Sequence, residues 1–355
     1  MSRNVKQDQL GKRSLSIRIP ALALGTLLAV SAGAGAASAQ RYEPAGHDLP
    51  PRVQQHIDLA YLAMNGDVSP AHVTSLLFSI APDVYPDQLA AARKNPNLPA
   101  TRAFDQMYYL GINGVTAWAL DTSDGIILID TLDNQEEAQT FIEGGLKSVG
   151  LDPARIKYIL ITHGHADHYG GAKYLQDKYH AHVLMSAQDW DFIARTPPRP
   201  GAAPLPTHDM VVTDGQKLTL GKTTLTLYVS PGHTPGAVSS IFPVTDQGKP
   251  HVVSFFGGTG LQTIDRDPSH GGFATMRNSA IRFAKLSVDA GADTIMSNHP
   301  FTDDAWNKAN LVRTRKARGG SPWVVGKDAT LRFYVAFAEA VNAVETFYED
   351  QAAKR

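Results

Sequence analysis

Four side chains able to bind a metal ion lie within six residues of this chain, in the segment His163-Gly164-His165-Ala166-Asp167-His168. The 355-residue sequence contains 13 histidines and no cysteine, so a metal site here must use imidazole and carboxylate ligands. With this composition, an H-x-H-x-D-H string arises by chance in roughly one such chain in a thousand. We therefore interpret the segment as a metal-binding motif rather than as a solvated polar loop.

The surrounding sequence indicates where this motif lies in the fold. It directly follows an apolar strand predicted at residues 158–161 and precedes Gly170-Gly171 and a predicted helix. Ligand sites in α/β sheets lie at the carboxyl ends of strands, which is where the motif falls. Alternation along an extended turn directs His163 and His165 to one side and Asp167 and His168 elsewhere. That arrangement suits two adjacent metal ions better than one.

Two further histidines follow predicted strands. His233 lies in a turn framed by proline and glycine at 231–236, and His299 follows a short strand predicted at 294–296. Each alone is typical of an ordinary turn histidine, but with the motif they complete a set of six candidate ligands. His270 lies near the presumed cleft. The other histidines are interpreted as structural or carry no motif: His47, His56, His72, His180, His182, His208 and His251.

The elements that must position these ligands change character along the chain. Residues 40–103 show helical apolar spacing punctuated by proline, with helices predicted at 53–62 and 69–80. From residue 104 short strands alternate with helices. Strands are predicted at 107–111, 116–120, 126–129, 157–161, 182–185, within 217–256 and at 294–296, and helices at 135–149, 172–179 and 274–290. Two β-rich halves, each with helices, predict an α/β domain whose sheets are covered on the outside.

The N-terminus has the pattern of an export signal. Basic residues precede an uncharged stretch at 19–30, and small residues then end in Ala37-Ser38-Ala39. This stretch is too short to span a bilayer core of about 30 Å, so we predict cleavage, no stable membrane insertion and a periplasmic or secreted protein. Residues 1–39 hold five basic residues and one acidic residue, so their removal changes the net charge from −1 to −5. A mildly acidic mature chain argues against a nucleic-acid partner.

Residues from about 104 to 345 resemble the metallo-β-lactamase fold superfamily, whose motifs match all six candidate ligands. The resemblance implies an α/β fold of the four-layered αβ/βα sandwich type, with the metal site at one edge. A helical N-terminal extension precedes it here. We thus predict a signal peptide at 1–39, the extension at 40–103 and a hydrolase domain at 104–355.

The resemblance also implies a ligand assignment and a mechanism. Two Zn²⁺ ions would bind per chain, one to His163, His165 and His233 and the other to Asp167, His168 and His299. Three protein ligands on each ion leave a position open for water, which is typical of catalytic zinc. Zinc lowers the pKa of bound water to about 7, so hydroxide is available as a nucleophile. Asp167, the predicted catalytic residue, would accept a hydrogen bond from that water. Asp130 matches the family's buried aspartate and would orient a ligand histidine.

Within the superfamily, the sequence narrows the choice of relatives. Most of its hydrolases place a bridging aspartate where this chain has Gly258, and two β-lactamase subclasses place a cysteine in the corresponding region, which this chain lacks. What remains resembles the third subclass of class B β-lactamases, which uses the six-ligand set alone. That subclass usually has serines at the positions of Gly258 and Gly260, which help to hold the substrate carboxylate. The sequence identifies no substrate-binding residue, and the candidate cations to replace the serines are Arg266, Arg277, Lys316 and Arg318.

These features favour an exported dizinc hydrolase that opens the ring of a β-lactam, a small-molecule substrate. The nearest alternative is another hydrolase of the same fold that acts on a lactone, thioester or phosphoester. A non-catalytic metal-binding protein is the alternative from a different class. The sequence leaves the oligomeric state open.

Overall fold

The computed structural model describes residues 49–64, 96–197, 200–261, 264–317 and 319–354. The predicted signal peptide, the helix predicted at 69–80 and Arg318 lie outside these residues. The proposed domain boundary near residue 103 stays a prediction.

The first of two sheets has seven strands in sequence order. Strands β1 to β4 pair antiparallel, and β4 to β7 pair parallel. Their bounds are β1 Thr101–Arg102, β2 Met107–Tyr109, β3 Trp118–Thr122, β4 Gly125–Ile129, β5 Ile156–Leu160, β6 His182–Ser186 and β7 Met210–Val212. Every residue of β4 is buried, as expected for a strand covered on both faces.

The second sheet has five strands in the order β12-β11-β10-β9-β8. Its members pair antiparallel, except that β12 runs parallel to β11. The bounds are β8 Gln216–Leu220, β9 Thr223–Val229, β10 Val238–Asp246, β11 Lys249–Phe255 and β12 Thr294–Met296. The predicted strand at 294–296 is therefore confirmed.

The described part of the chain also contains nine α-helices, most of which cover the outer faces of the two sheets. They are α1 Pro51–Met64, α2 Gln135–Glu137, α3 Gly144–Ser148, α4 Ala166–Tyr169, α5 Ala172–Tyr179, α6 Ala187–Arg195, α7 Gly272–Asp289, α8 Ala305–Thr314 and α9 Lys327–Ala352. The helix predicted at 135–149 has a π-helical middle, Ala138–Glu143, between α2 and α3. Short 3-10 turns occur at Pro153–Arg155 and Pro268–His270.

Three apolar cores separate the layers. The central core joins the facing sides of the two sheets, for example Trp118 of β3 with Phe242 of β10 and Trp323. A second core packs the outer face of the first sheet against α3, α5 and α6, and a third packs the second sheet against α1, α7 and α9. The order helix, sheet, sheet, helix confirms the four-layered αβ/βα sandwich.

The N-terminal helix α1 packs against the C-terminal helix α9. Its buried residues Val53, Ile57, Ala60 and Met64 recur at helical spacing and join the third core. At the exposed edge of the contact, Arg52 forms ion pairs with Glu349 and Asp350, each at 3.1 Å. Among the described helices, none is long and apolar enough to cross a membrane.

Candidate metal centre

All six predicted ligands lie at one edge of the sandwich, in loops that follow strands of both sheets. The motif 163–168 follows β5 closely, His233 follows β9, and His299 follows β12. The His299 loop is attached to the first sheet, because Trp118 Nε1 donates to the carbonyl of Ser297 at 2.8 Å and Thr116 N donates to that of Asn298 at 2.8 Å. The two sheets thus converge on a single site.

His163, His165 and His233 form the first ligand group. His233 Nε2 lies 3.0 Å from both His163 Nε2 and His165 Nδ1. Ligand nitrogens at about 2.0–2.1 Å from a tetrahedral zinc ion are about 3.4 Å apart, so these separations fit one zinc ion to within a few tenths of an ångström. His163 and His233 are buried and His165 is partly exposed.

A second ligand group surrounds His168. His163, Asp167 and His168 bring one ligand atom each within 4.8 Å of one another, and the His299 ring centroid lies 4.9 Å from that of His168. The expected separation of the motif into two sides is therefore incomplete, because His163 is close to both groups. His168 Nε2 is buried and has no hydrogen-bond partner in the described part of the chain. It lies 3.3 Å from Asp167 Oδ2, and a metal ion would satisfy it.

Four of the histidines use Nδ1 to bind a fixed acceptor. His163 donates to the carbonyl of Gly257 at 2.8 Å, His299 to that of Gly114 at 2.9 Å, and His233 to that of Gly260 at 2.5 Å. His168 donates to Asp130 Oδ2 at 2.7 Å. A neutral imidazole that donates through Nδ1 carries its lone pair on Nε2, so these contacts set the tautomer that a metal requires.

The structure places Asp130 as the predicted support for a ligand histidine. This fully buried residue directly follows β4 with a φ of 60°, and its carboxylate accepts from Thr162 N, Thr162 Oγ1 and His168 Nδ1, each at 2.7 Å. Thr162 directly precedes His163. Asp130 therefore holds one ligand ring and the backbone at the start of the motif.

The pKa values of the ligands divide them into neutral and charged groups in the metal-free protein. Burial, aided by the neighbouring histidines, lowers the pKa of His163 and His233, and it lowers that of His299 to about 4. Burial also opposes charge on His168, but Asp167 and Asp130 outweigh it and raise its pKa to about 10. Although burial works to raise it, the pKa of Asp167 is lowered by His168. A metal ion would thus replace the proton shared by this pair.

The comparisons with known proteins agree with this architecture. Residues 110–246 match the family model described as the metallo-beta-lactamase superfamily. BJP-1, a subclass B3 metallo-beta-lactamase of Bradyrhizobium japonicum, is 24% identical with a TM-score of 0.60, and the alignment covers 75% of this chain and 97% of that one. The Rm3 metallo-beta-lactamase is 26% identical with a TM-score of 0.59, covering 75% and 98%. This is a metallo-β-lactamase fold.

Two curated relatives match this chain over shorter segments. Hydroxyacylglutathione hydrolase of Acidiphilium cryptum (strain JF-5) is 31% identical over 97 residues, 27% of this chain and 35% of that protein. The probable metallo-hydrolase YybB of Bacillus subtilis (strain 168) is 26% identical over 126 residues, 35% of this chain and 54% of that protein. The chain thus spans between about a third and about half of the length of these relatives.

Gly258 leaves no space for the side chain that most hydrolases of this fold place there. A Cβ at this position would lie 2.8 Å from His233 Cβ and 2.8 Å from His233 Cδ2. Real Cβ contacts are essentially never this short, so a bridging carboxylate at residue 258 would require His233 to move. The two ligand groups are therefore built without a carboxylate from this position.

The four cations suggested by the sequence lie in different environments. Arg277 forms an ion pair with Glu345 and also donates to Asn342 at 3.0 Å. Lys316 lines another cavity, together with Arg102 and Asp246. Arg266 stacks over the Tyr348 ring and directly follows Asp265, which lines a groove beside the first ligand group. Arg318 lies outside the described residues.

A groove of about 330 Å³ borders the first ligand group. His165 and His233 form part of its wall, Phe192 and Ile264 give it apolar sides, and Asp265 lies at its rim. The described residues that line it include no lysine or arginine. The groove is the space beside the metal ligands in which a substrate can lie.

Sequence reasoning missed three residues around the ligands. Phe301 stacks on the His299 ring at 4.9 Å between centroids. Asn298 donates to Gly257 O at 2.9 Å and to Thr162 Oγ1 at 2.7 Å. Asp189 is fully buried in the first turn of α6, and burial raises its pKa. Asn298 and Phe301 flank His299, which was a usable signal, whereas Asp189 lies more than 20 residues from the nearest ligand and belongs to no motif.

Proposed function

We propose that this protein is an exported, dizinc-dependent hydrolase that opens the ring of a β-lactam antibiotic. One observation carries the proposal: five of the six candidate ligands form two groups whose ligand atoms lie within 4.8 Å of one another, the His299 ring lies beside that of His168, and Gly258 leaves no space for a bridging carboxylate. The third subclass of class B β-lactamases is expected to have this combination. The structural similarity to BJP-1, a subclass B3 metallo-beta-lactamase, supports the same choice.

The residues of this chain have defined tasks in that reaction. When bound, zinc supplies a water of lowered pKa and polarises the scissile carbonyl. The Asp167 carboxylate stays ionised and partly exposed, so it can accept a hydrogen bond from the attacking water and orient it. Phe192 and Ile264 exclude bulk water from one side of the groove. Asp130 keeps the His168 ring in its metal-binding tautomer.

Steady-state hydrolysis tests the proposal. Purified zinc-loaded protein is assayed with a penicillin, a cephalosporin and a lactone, with and without a chelator, and its zinc content is measured. We expect β-lactam turnover that the chelator abolishes and added zinc restores. His165→Ala should lower turnover by at least about 100-fold, because it removes a ligand. His182→Ala is the matched control, since His182 is exposed and binds Asp209 on another edge. A protein with two zinc ions and no chelator-sensitive β-lactam turnover would contradict the proposed substrate.

An ester-like substrate is the second candidate function. Two observations favour it: glycines replace the serines expected at positions 258 and 260, and one curated relative is a hydroxyacylglutathione hydrolase. The lactone arm of the same assay distinguishes the two, because lactone turnover without β-lactam turnover supports this candidate. A non-catalytic role would be supported by metal content below one ion per chain after native purification.

The proposed location is the periplasm or the extracellular medium. The pattern of residues 1–39 supports it. Mass spectrometry of the protein recovered from the producing cells tests it. A mature N-terminus at Gln40 in the exported fraction is the expected result, and an intact N-terminus in the cytoplasmic fraction would contradict it.

A further inference from the structure

Asp189 is a buried carboxylate without a task in the chemistry described above. It lies in the first turn of α6, where its backbone N donates to the N-cap Ser186 Oγ at 3.1 Å. Helix α6 supplies no candidate metal ligand. Its first turn nevertheless lies against the two loops that carry His163, His165 and His233.

The Asp189 carboxylate binds both of these loops. Oδ2 accepts from Gly164 N at 2.8 Å and from Thr234 Oγ1 at 2.6 Å, and Oδ1 accepts from Gly236 N at 2.7 Å. Gly164 lies between His163 and His165, and Thr234 directly follows His233. One side chain therefore joins the backbone beside all three members of the first ligand group.

The space between α6 and the loops is too narrow for a water molecule. A Cβ added to Gly164 would lie 2.9 Å from Phe192 Cδ1, and one added to Gly236 would lie 2.0 Å from Ser186 Oγ. Glycine at both positions lets the loop backbone reach the helix. Direct bonds to Asp189 thus link the two loops.

We propose that Asp189 is the positioning residue of the first zinc site: it fixes the spacing between the His163–His165 turn and the His233 turn. Asp130 does the equivalent for His168 through a direct bond to the ring, whereas Asp189 acts through backbone and hydroxyl groups. The inference rests on the metal centre of the proposed function, but not on the identity of its substrate.

Cobalt(II) binding tests the inference without a substrate. Cobalt(II) is titrated into the metal-free full-length protein while its visible d–d bands are followed, and the unfolding of the metal-free protein is measured separately. In Asp189→Asn, an amide NH₂ must face either Gly236 N or the Gly164 and Thr234 donors, so at least one bond is lost. We expect the dissociation constant of the three-histidine site to rise about 10- to 100-fold, with weaker tetrahedral bands.

Two controls separate positioning from a loss of folding stability. Asp293→Asn removes a comparable carboxylate, which accepts from Val252 N at 3.0 Å and His251 Nδ1 at 2.8 Å, away from the ligand loops. It should lower stability without changing the cobalt spectrum. Thr234→Val should weaken cobalt binding about 2- to 10-fold through the loss of one hydrogen bond, and Thr234→Ser should restore it.

The outcomes are distinct from those of the substrate assay. Cobalt affinity and spectrum unchanged in Asp189→Asn would overturn the inference, whatever happens to folding stability. If that variant does not fold, the Thr234 pair decides, and equal cobalt binding by Thr234→Val and wild type overturns it. Normal metal binding without β-lactam turnover in the wild-type protein would overturn the proposed function alone.

Discussion

Replacing Gly258 by alanine should damage the metal centre, even though most hydrolases of this fold carry a side chain there. The new Cβ would lie 2.8 Å from both Cβ and Cδ2 of His233 and 3.0 Å from its Cγ. Rotation of the imidazole cannot relieve the contact with His233 Cβ, so the loop itself must move. Overpacking of this kind typically costs about 1–3 kcal/mol. If the whole cost falls on the metal-bound state, the metal dissociation constant rises about 5- to 150-fold.

The assay is competition for zinc between the protein and a chromophoric chelator, with thermal unfolding of the metal-free protein measured in parallel. The cost should appear as weaker zinc binding, as a lower melting temperature, or as a sum of the two within about 1–3 kcal/mol. Gly114→Ala is the matched control, because a Cβ there meets no atom within 4 Å although its carbonyl accepts from His299. Wild-type zinc affinity and stability in Gly258→Ala would refute the steric reasoning. A gain of β-lactam turnover in Gly258→Ser without weaker zinc binding would do so as well.

Two further predictions concern the groups that hold the ligands. Asp130→Asn should weaken zinc binding about 10- to 100-fold, because the amide no longer provides the carboxylate that orients His168. The control is Asp209→Asn, beside the exposed His182, which should leave zinc affinity unchanged. Equal effects on zinc affinity in the two variants would contradict the role of Asp130. The metal-free protein should lose stability as the pH falls from 6.5 towards 4, because the unfolded His299 gains a proton that the folded residue, with its pKa lowered to about 4, does not. The contribution of His299 is at most about 3 kcal/mol. Denaturation in the presence of a chelator should show a smaller loss of stability in acid for His299→Gln and the wild-type loss for His182→Gln, with the remaining loss arising from His163 and His233.

The raised pKa of His168 predicts that folding stability falls as the pH rises above neutral. Its folded pKa is raised to about 10, so its stabilising charge is present in full below pH 6.5 and is lost as the pH rises towards 10. The metal-free protein should therefore be most stable near neutral pH. Zinc removes this alkaline dependence when it replaces the proton on His168.

The sequence predicted the elements whose residues are close together along the chain. The strand at 294–296 and the helix at 172–179 have the predicted bounds, because their apolar spacing is set by local geometry. The strand predicted at 116–120 is observed two residues later, at Trp118–Thr122. Its start depends on pairing with β2 and β4, which local spacing does not encode. The π-helical segment within 135–149 was likewise not expected from composition.

The same distinction between local and distant residues explains which parts of the metal centre could be predicted. Four candidate ligands are visible because they lie within six residues, and His233 and His299 because each follows a strand in a rigid turn. Local sequence patterns do not predict the contacts of Asp189 or the steric role of Gly258. Each acts on a residue more than 20 positions away, and only the fold brings the two residues together. A carboxylate in the first turn of a helix is common, and from sequence alone it indicates only a favourable interaction with the helix N-terminus. It becomes a constraint on metal geometry only when the helix lies against two ligand loops, so the residues that tune a site of this kind are found from its contacts and not from its motif.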